Sequence, residues 1–94
     1  MASAGIDLDT AWTLDPQVAL RPEPFGALAY HFGTRRLSFL KSLTLFDVVR
    51  GLGEHASARE ALLAAGVDAG ELPRYAGALA TLAEGGMIRV RERA

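Results

Sequence analysis

Leu20-Arg21-Pro22-Glu23-Pro24-Phe25-Gly26-Ala27-Leu28-Ala29-Tyr30-His31-Phe32-Gly33-Thr34-Arg35-Arg36-Leu37-Ser38-Phe39-Leu40-Lys41 holds two apolar runs set between proline- and glycine-bearing reversals. Leu28, Tyr30 and Phe32 alternate with Ala27, Ala29 and His31, the period of a strand with one buried face. The large residues are expected to face the core and His31 the solvent. Gly33-Thr34 supports a tight reversal into a third run, Arg35 to Lys41. Upstream, Val18 and Leu20 alternate with Ala19 and Arg21, and the segment Pro22 to Gly26 reads as a turn that excludes regular structure. Short reversals between three strands predict an antiparallel meander in the order 1-2-3.

Beyond residue 41 the period changes to that of helices. Thr44 followed by Asp47 reads as an N-terminal cap, with Leu45, Phe46, Val49 and Leu52 on one face and Gly51 and Gly53 loosening the end. Ser57-Ala58-Arg59-Glu60 has the spacing of a capping box and opens a second, short helix that Gly66 stops. Pro73 fits only the first turn of a helix, so a third helix starts between residues 69 and 73. Leu72, Tyr75, Ala76, Leu79, Leu82 and Ala83 give it an apolar stripe. Gly85-Gly86 ends it, and residues 87–91 form a short strand or pack back. Three strands followed by three helices make an α+β, winged-helix-like domain. It is expected to span residues 17–88, behind an N-terminal arm (1–16) that Trp12 anchors on the core and ahead of a C-terminal tail (89–94).

The composition excludes several functions. With 94 residues there is room for one core, and half of them are hydrophobic. A net charge of −1 provides no long-range attraction for nucleic acid or anionic membrane. The lack of cysteine removes disulfides, thiolate metal sites and cysteine nucleophiles. The N-terminus lacks the basic flank and apolar core of a signal peptide, so a cytoplasmic location is expected. His31 and His55 have no second ligand at metal-like spacing. Ser3, Ser38, Ser42 and Ser57 lack an activating base, and no glycine cluster cradles phosphate. The chain is therefore read as a non-enzyme that needs no cofactor. A winged-helix DNA-binding regulator is the alternative. Against it, the non-core positions of the third helix are Arg74, Gly77, Ala78, Thr81 and Glu84, a set poor in groups for phosphates or bases. Only the tail arginines, Arg89, Arg91 and Arg93, favour it.

The third strand is the unusual element. It lies at the edge of the meander, and its middle, Leu37-Ser38-Phe39-Leu40, is apolar on both alternating faces, whereas a half-exposed strand needs only one such face. Either the third helix or the arm covers the surplus, or an extended peptide adds there as a further strand. In the second case a groove between the third strand and the third helix would be lined by Leu40, Tyr75, Ala78 and Leu82. Arg35, Arg36 and Arg74 at its rim would favour an acidic guest.

Residues 20–42, with Trp12 and Leu14 upstream and Leu82-Ala83-Glu84-Gly85-Gly86-Met87-Ile88 downstream, resemble the PqqD-like recognition elements of ribosomally made, modified peptides (RiPP recognition elements). They are closer still to the peptide chaperones of the mycofactocin system. The resemblance covers about residues 12–88. It implies that the leader of a precursor peptide, MftA, lies in the groove along residues 35–40 and 74–82. It further implies that the chain brings this precursor to a radical SAM enzyme, MftC, which carries the iron–sulfur clusters and S-adenosylmethionine. Leaders of this kind are rich in glutamate. The oligomeric state is left open, a homodimer included.

Overall fold

The computed structural model describes residues 6–91. Residues 1–5 of the expected arm and 92–94 of the expected tail, Arg93 among them, lie outside that range. Strands β1 (Trp12–Leu14), β2 (Val18–Glu23), β3 (Gly26–His31) and β4 (Leu37–Leu40) are followed by helices α1 (Leu43–Arg50), α2 (Ala58–Ala64) and α3 (Leu72–Glu84), then by β5 (Ile88–Val90). β2, β3 and β4 form the antiparallel meander in that order, as the alternation requires. The α+β, winged-helix-like class stands.

Four local readings need correction. Residues 12–14, taken as arm rather than element, form β1 and pair with β5 in a second, two-stranded sheet, Trp12 opposite Val90 and Leu14 opposite Ile88. Pairs three residues long have no period to detect, and these partners lie far apart in the chain. Trp12 does anchor this segment, packing on the core while its indole Nε1 donates to Asp7 O at 3.2 Å. Second, Pro22 lies inside β2, opposite Ala27, and only Pro24-Phe25 make the turn. The bond from Phe32 N to Gln17 O sets the ladder so that Pro22 turns its backbone away from β3, toward the open edge, where a missing N–H breaks nothing.

Third, the faces of β3 are the reverse of the expectation. Ala27, Ala29 and His31 are buried, while Leu28 and Tyr30 are half-buried and Phe32 is exposed. The helices cover the alanine face, because small side chains let α1 approach the strand closely. His31 is therefore no solvated residue. Fourth, the cap of α1 is Ser42 rather than Thr44: its Oγ accepts from Leu45 N at 3.0 Å. Ser57 caps α2 as expected, accepting from Glu60 N at 3.2 Å, and Pro73 sits in the first turn of α3.

Leu40, Leu52, Leu62, Leu79, Met87 and Ile88 are fully buried between the sheet and the helices. Each is worth about 1.5–3 kcal/mol on leaving water. The N-terminal segment is bound along α2, with Arg59 N donating to Leu8 O, Ala58 N to Thr10 O, and Arg59 Nε to Asp9 Oδ1 at 2.9 Å. The segment also reaches α3, where Ile6 N donates to Ala76 O at 3.4 Å.

Gly26 shows why the β2–β3 reversal needs a glycine. Its φ is +152°, and a Cβ there would stand 2.0 Å from Leu40 O and 2.8 Å from Ser42 N. The chain leaves β4 for α1 across this bare backbone.

Candidate functional site

The edge of the meander at β4 is open. His31 N donates to Arg36 O at 2.9 Å, and bonded pairs alternate along an antiparallel ladder. Arg36, Ser38 and Leu40 thus turn their backbone groups toward β3, while Leu37 and Phe39 turn their N–H and C=O outward. Among the described residues no strand pairs with that side of β4. Side chains alternate the other way: Leu40 is fully buried under Ala27, whereas Leu37 and Phe39 are 52% and 56% exposed on the outer face of the sheet.

Between this edge and α3 lie two adjoining clefts. One, of about 390 Å³, is lined by Lys41, Ser42, Leu45, Arg74, Tyr75 and Ala78. The other, of about 360 Å³, is lined by Ser38, Phe39, Lys41, Leu45, Ala78, Thr81 and Leu82. Lys41, Leu45 and Ala78 belong to both, so together they form one groove. Arg74 lines only the cleft that holds Ser42, and Leu82 only the one that holds Ser38 and Phe39, so β4 and α3 run in opposite directions along it. At its far end Arg36 reaches the close of α3, its Nη1 3.9 Å from where a Cβ on Gly85 would stand. The capping of α1 by Ser42 places Leu45 in the floor, and the small side chain of Ala78 leaves the wall open.

The electrostatics are one-sided, since no carboxylate among the described residues lines either cleft. Arg74 meets Glu71 at 3.5 Å, an exposed pair that water screens strongly. Arg35, Arg36 and Lys41 form no ion pair among the described residues. Arg35 sits in the β3–β4 turn with a positive φ of 64°. A groove with an apolar floor, outward backbone donors and acceptors along one side and cations at both ends can bind an extended peptide. Among the described residues no three histidine, aspartate or glutamate side chains converge on a metal-sized site.

Of the residues singled out from sequence, Ser38, Phe39, Arg74, Tyr75, Ala78 and Leu82 line the groove. Arg36 closes one end. Leu40 does not line it, because its position opposite Ala27 turns it into the core. Leu37 points to the outer face, and Arg35 lies beyond the end. Sequence reading missed Lys41, Ser42, Leu45 and Thr81. The serine three residues before Leu45 is a capping signal that marks where α1 begins, and with it the groove floor.

The outer face of the sheet carries a second apolar surface. Phe25 and Phe39 lie with ring centroids 6.3 Å apart, and Tyr30 and Phe32 meet edge to face at 5.1 Å. Phe25, Phe32, Leu37 and Phe39 are all about half exposed or more.

Comparison with known proteins shows which family the sequence resembles. The model of the peptide chaperone MftB family matches residues 11–89. The peptide chaperone MftB of Mycobacterium ulcerans is 54% identical over 92 residues, 97% of this chain and 84% of that protein. That of Mycolicibacterium smegmatis is 54% identical over 82 residues, 87% of this chain and 80% of the relative. The Mycobacterium tuberculosis protein is 50% identical over 90 residues, covering 96% and 83%. No solved structure matches the chain.

Proposed function

Because this chain belongs to the peptide chaperone MftB family, among the PqqD-like RiPP recognition elements, we propose that it holds the leader of the mycofactocin precursor MftA in the β4–α3 groove and delivers it to the radical SAM enzyme MftC. The chain is a chaperone and not an enzyme. It acts by tethering: a bound leader raises the effective concentration of the precursor's reactive end at the enzyme without any chemistry here. The reading places both in the cytoplasm, where the precursor is translated.

The observation that carries the proposal is the outward-turned backbone of Leu37 and Phe39 beside a groove with an apolar floor. An extended guest pairs with those groups as a fourth strand and fills the clefts with alternate side chains. The cations at the two ends suit an acidic guest. A leader unstructured when free loses entropy on ordering, which keeps the affinity moderate and the exchange fast.

Titrating labelled MftA into the chain, with fluorescence anisotropy as the readout, tests the first step. Saturable binding that a leaderless peptide cannot reproduce is expected; no binding overturns the reading. Co-elution of MftC with the chain and MftA tests the second step.

A further inference from the structure

A strand added at β4 shows its alternate side chains to both faces of the sheet, and this structure has an apolar surface on each. The guest residues directly opposite Leu37 and Phe39 project to the outer face, because residues facing one another across a ladder share a face. There they meet Leu37 and Phe39, 52% and 56% exposed, with the Phe25 ring tilted at 57° to that of Phe39, centroids 6.3 Å apart. The guest residue opposite Ser38, between them, projects to the inner face and enters the cleft lined by Leu45, Ala78 and Leu82. Arg36 stands at one end of this stretch and Arg74 at the other, while Lys41, which follows Leu40, lines both clefts.

We propose, resting on the peptide-binding reading above, that the guest is read on both faces of the sheet. The outer row, Leu37 and Phe25 together with Phe39, which also borders the groove, is then a second half of the binding site. The segment it takes has about four consecutive residues with apolar side chains on both alternating faces, flanked on each side by a carboxylate. Its length follows from the five steps between Arg36 and Lys41, about 17 Å of strand. A groove-only site would select apolar residues at every second position and leave the others free to be polar. An exposed leucine and phenylalanine on an edge that is otherwise a pairing hazard, with Phe25 of the neighbouring turn, gain a purpose in this arrangement.

The test compares variants on either side of β4 in binding to labelled MftA. Leu37→Thr keeps strand propensity and touches neither cleft; Phe25→Ser lies off the strand altogether; Ala78→Leu fills the groove. Each is first checked for a native circular dichroism spectrum and a cooperative melt. Leu37→Thr and Phe25→Ser are each expected to weaken binding by about three- to fivefold, and Ala78→Leu to weaken it more. If Ala78→Leu weakens binding while both outer variants bind as wild type does, the guest is read on one face and the inference is overturned. If Ala78→Leu also leaves binding unchanged, the groove itself is not the site and the underlying reading goes with it.

Discussion

The imidazole Nε2 of His31 stands 3.6 Å from Asp15 Oδ1, both side chains largely withdrawn from water. The other ring nitrogen, Nδ1, accepts from Gly33 N at 3.0 Å and Thr34 N at 3.1 Å. Asp15 Oδ1 in turn accepts from Gln17 N at 2.8 Å. One buried ring thus joins the loop before β2 to the turn that delivers Arg35 and Arg36 to β4. His31→Leu keeps the volume but leaves two backbone donors without their acceptor. Urea denaturation should show a loss of about 1–3 kcal/mol, and peptide affinity should fall with it.

Proline substitution separates the two sides of β4. Leu37→Pro removes an N–H that points away from β3, so the fold should survive while MftA binding is lost. Ser38→Pro removes one of the bonds to β3 and should destabilise the domain by about 1–3 kcal/mol. A Leu37→Pro variant that melts normally and binds with wild-type affinity would contradict strand addition.

Charge reversal probes the groove ends. Arg36→Glu and Lys41→Glu should each weaken MftA binding by up to about fivefold, the scale of exposed ion pairs. For the wild type, affinity should drop as ionic strength rises toward about 1 M, where the screening length shrinks to about 3 Å. Anisotropy titrations across a salt series read both effects, and a flat series would show that the cations are idle.

Gly26→Ala places a methyl group against Leu40 O and Ser42 N at a backbone angle suited to glycine. The cost should be about 3 kcal/mol, visible as a lowered melting temperature. Because the clash falls where β4 passes into α1, exchange protection of the Leu45 amide should fall as well.

The Arg59 guanidinium beside Asp9 holds that carboxyl below its ordinary value of 3.8, chiefly through their hydrogen bond. A folded-state value below the unfolded one means stabilisation fully present above 3.8, fading as pH falls through the lowered value. Asp9→Asn should flatten that acid limb in melts taken at stepped pH. The effect should be small, since the pair is solvent-exposed.

Much of the scaffold could be read in advance from local chemistry. The alternation of residues 27–32, the cap at Ser57 and the position of Pro73 placed the meander, α2 and α3. The errors share a cause, which is that a period reports two faces without saying which one is covered. Leu28, Tyr30 and Phe32 drew the core assignment by size, yet the helices packed on Ala27 and Ala29, where backbones approach more closely. The same ambiguity put Leu40 in the groove, although its register opposite Ala27 sends it inward. Arg74, Tyr75, Ala78 and Leu82 were legible because helical spacing puts them on one side of α3. Lys41, Ser42, Leu45 and Thr81 depend on how β4 passes into α1, a tertiary fact with no local period.

Pro22 gives the sheet a direction of growth. On the β2 side, Leu20 and Pro22 turn outward and Pro22 has no proton to offer an incoming strand, while Leu37 and Phe39 on the β4 side both keep theirs. Two copies meeting edge to edge could join once, through β4, and would then present only their proline-bearing margins. Growth past that joint is discouraged by the proline in each remaining margin, so the protein can keep one margin receptive while lowering its risk of becoming the seed of a fibre.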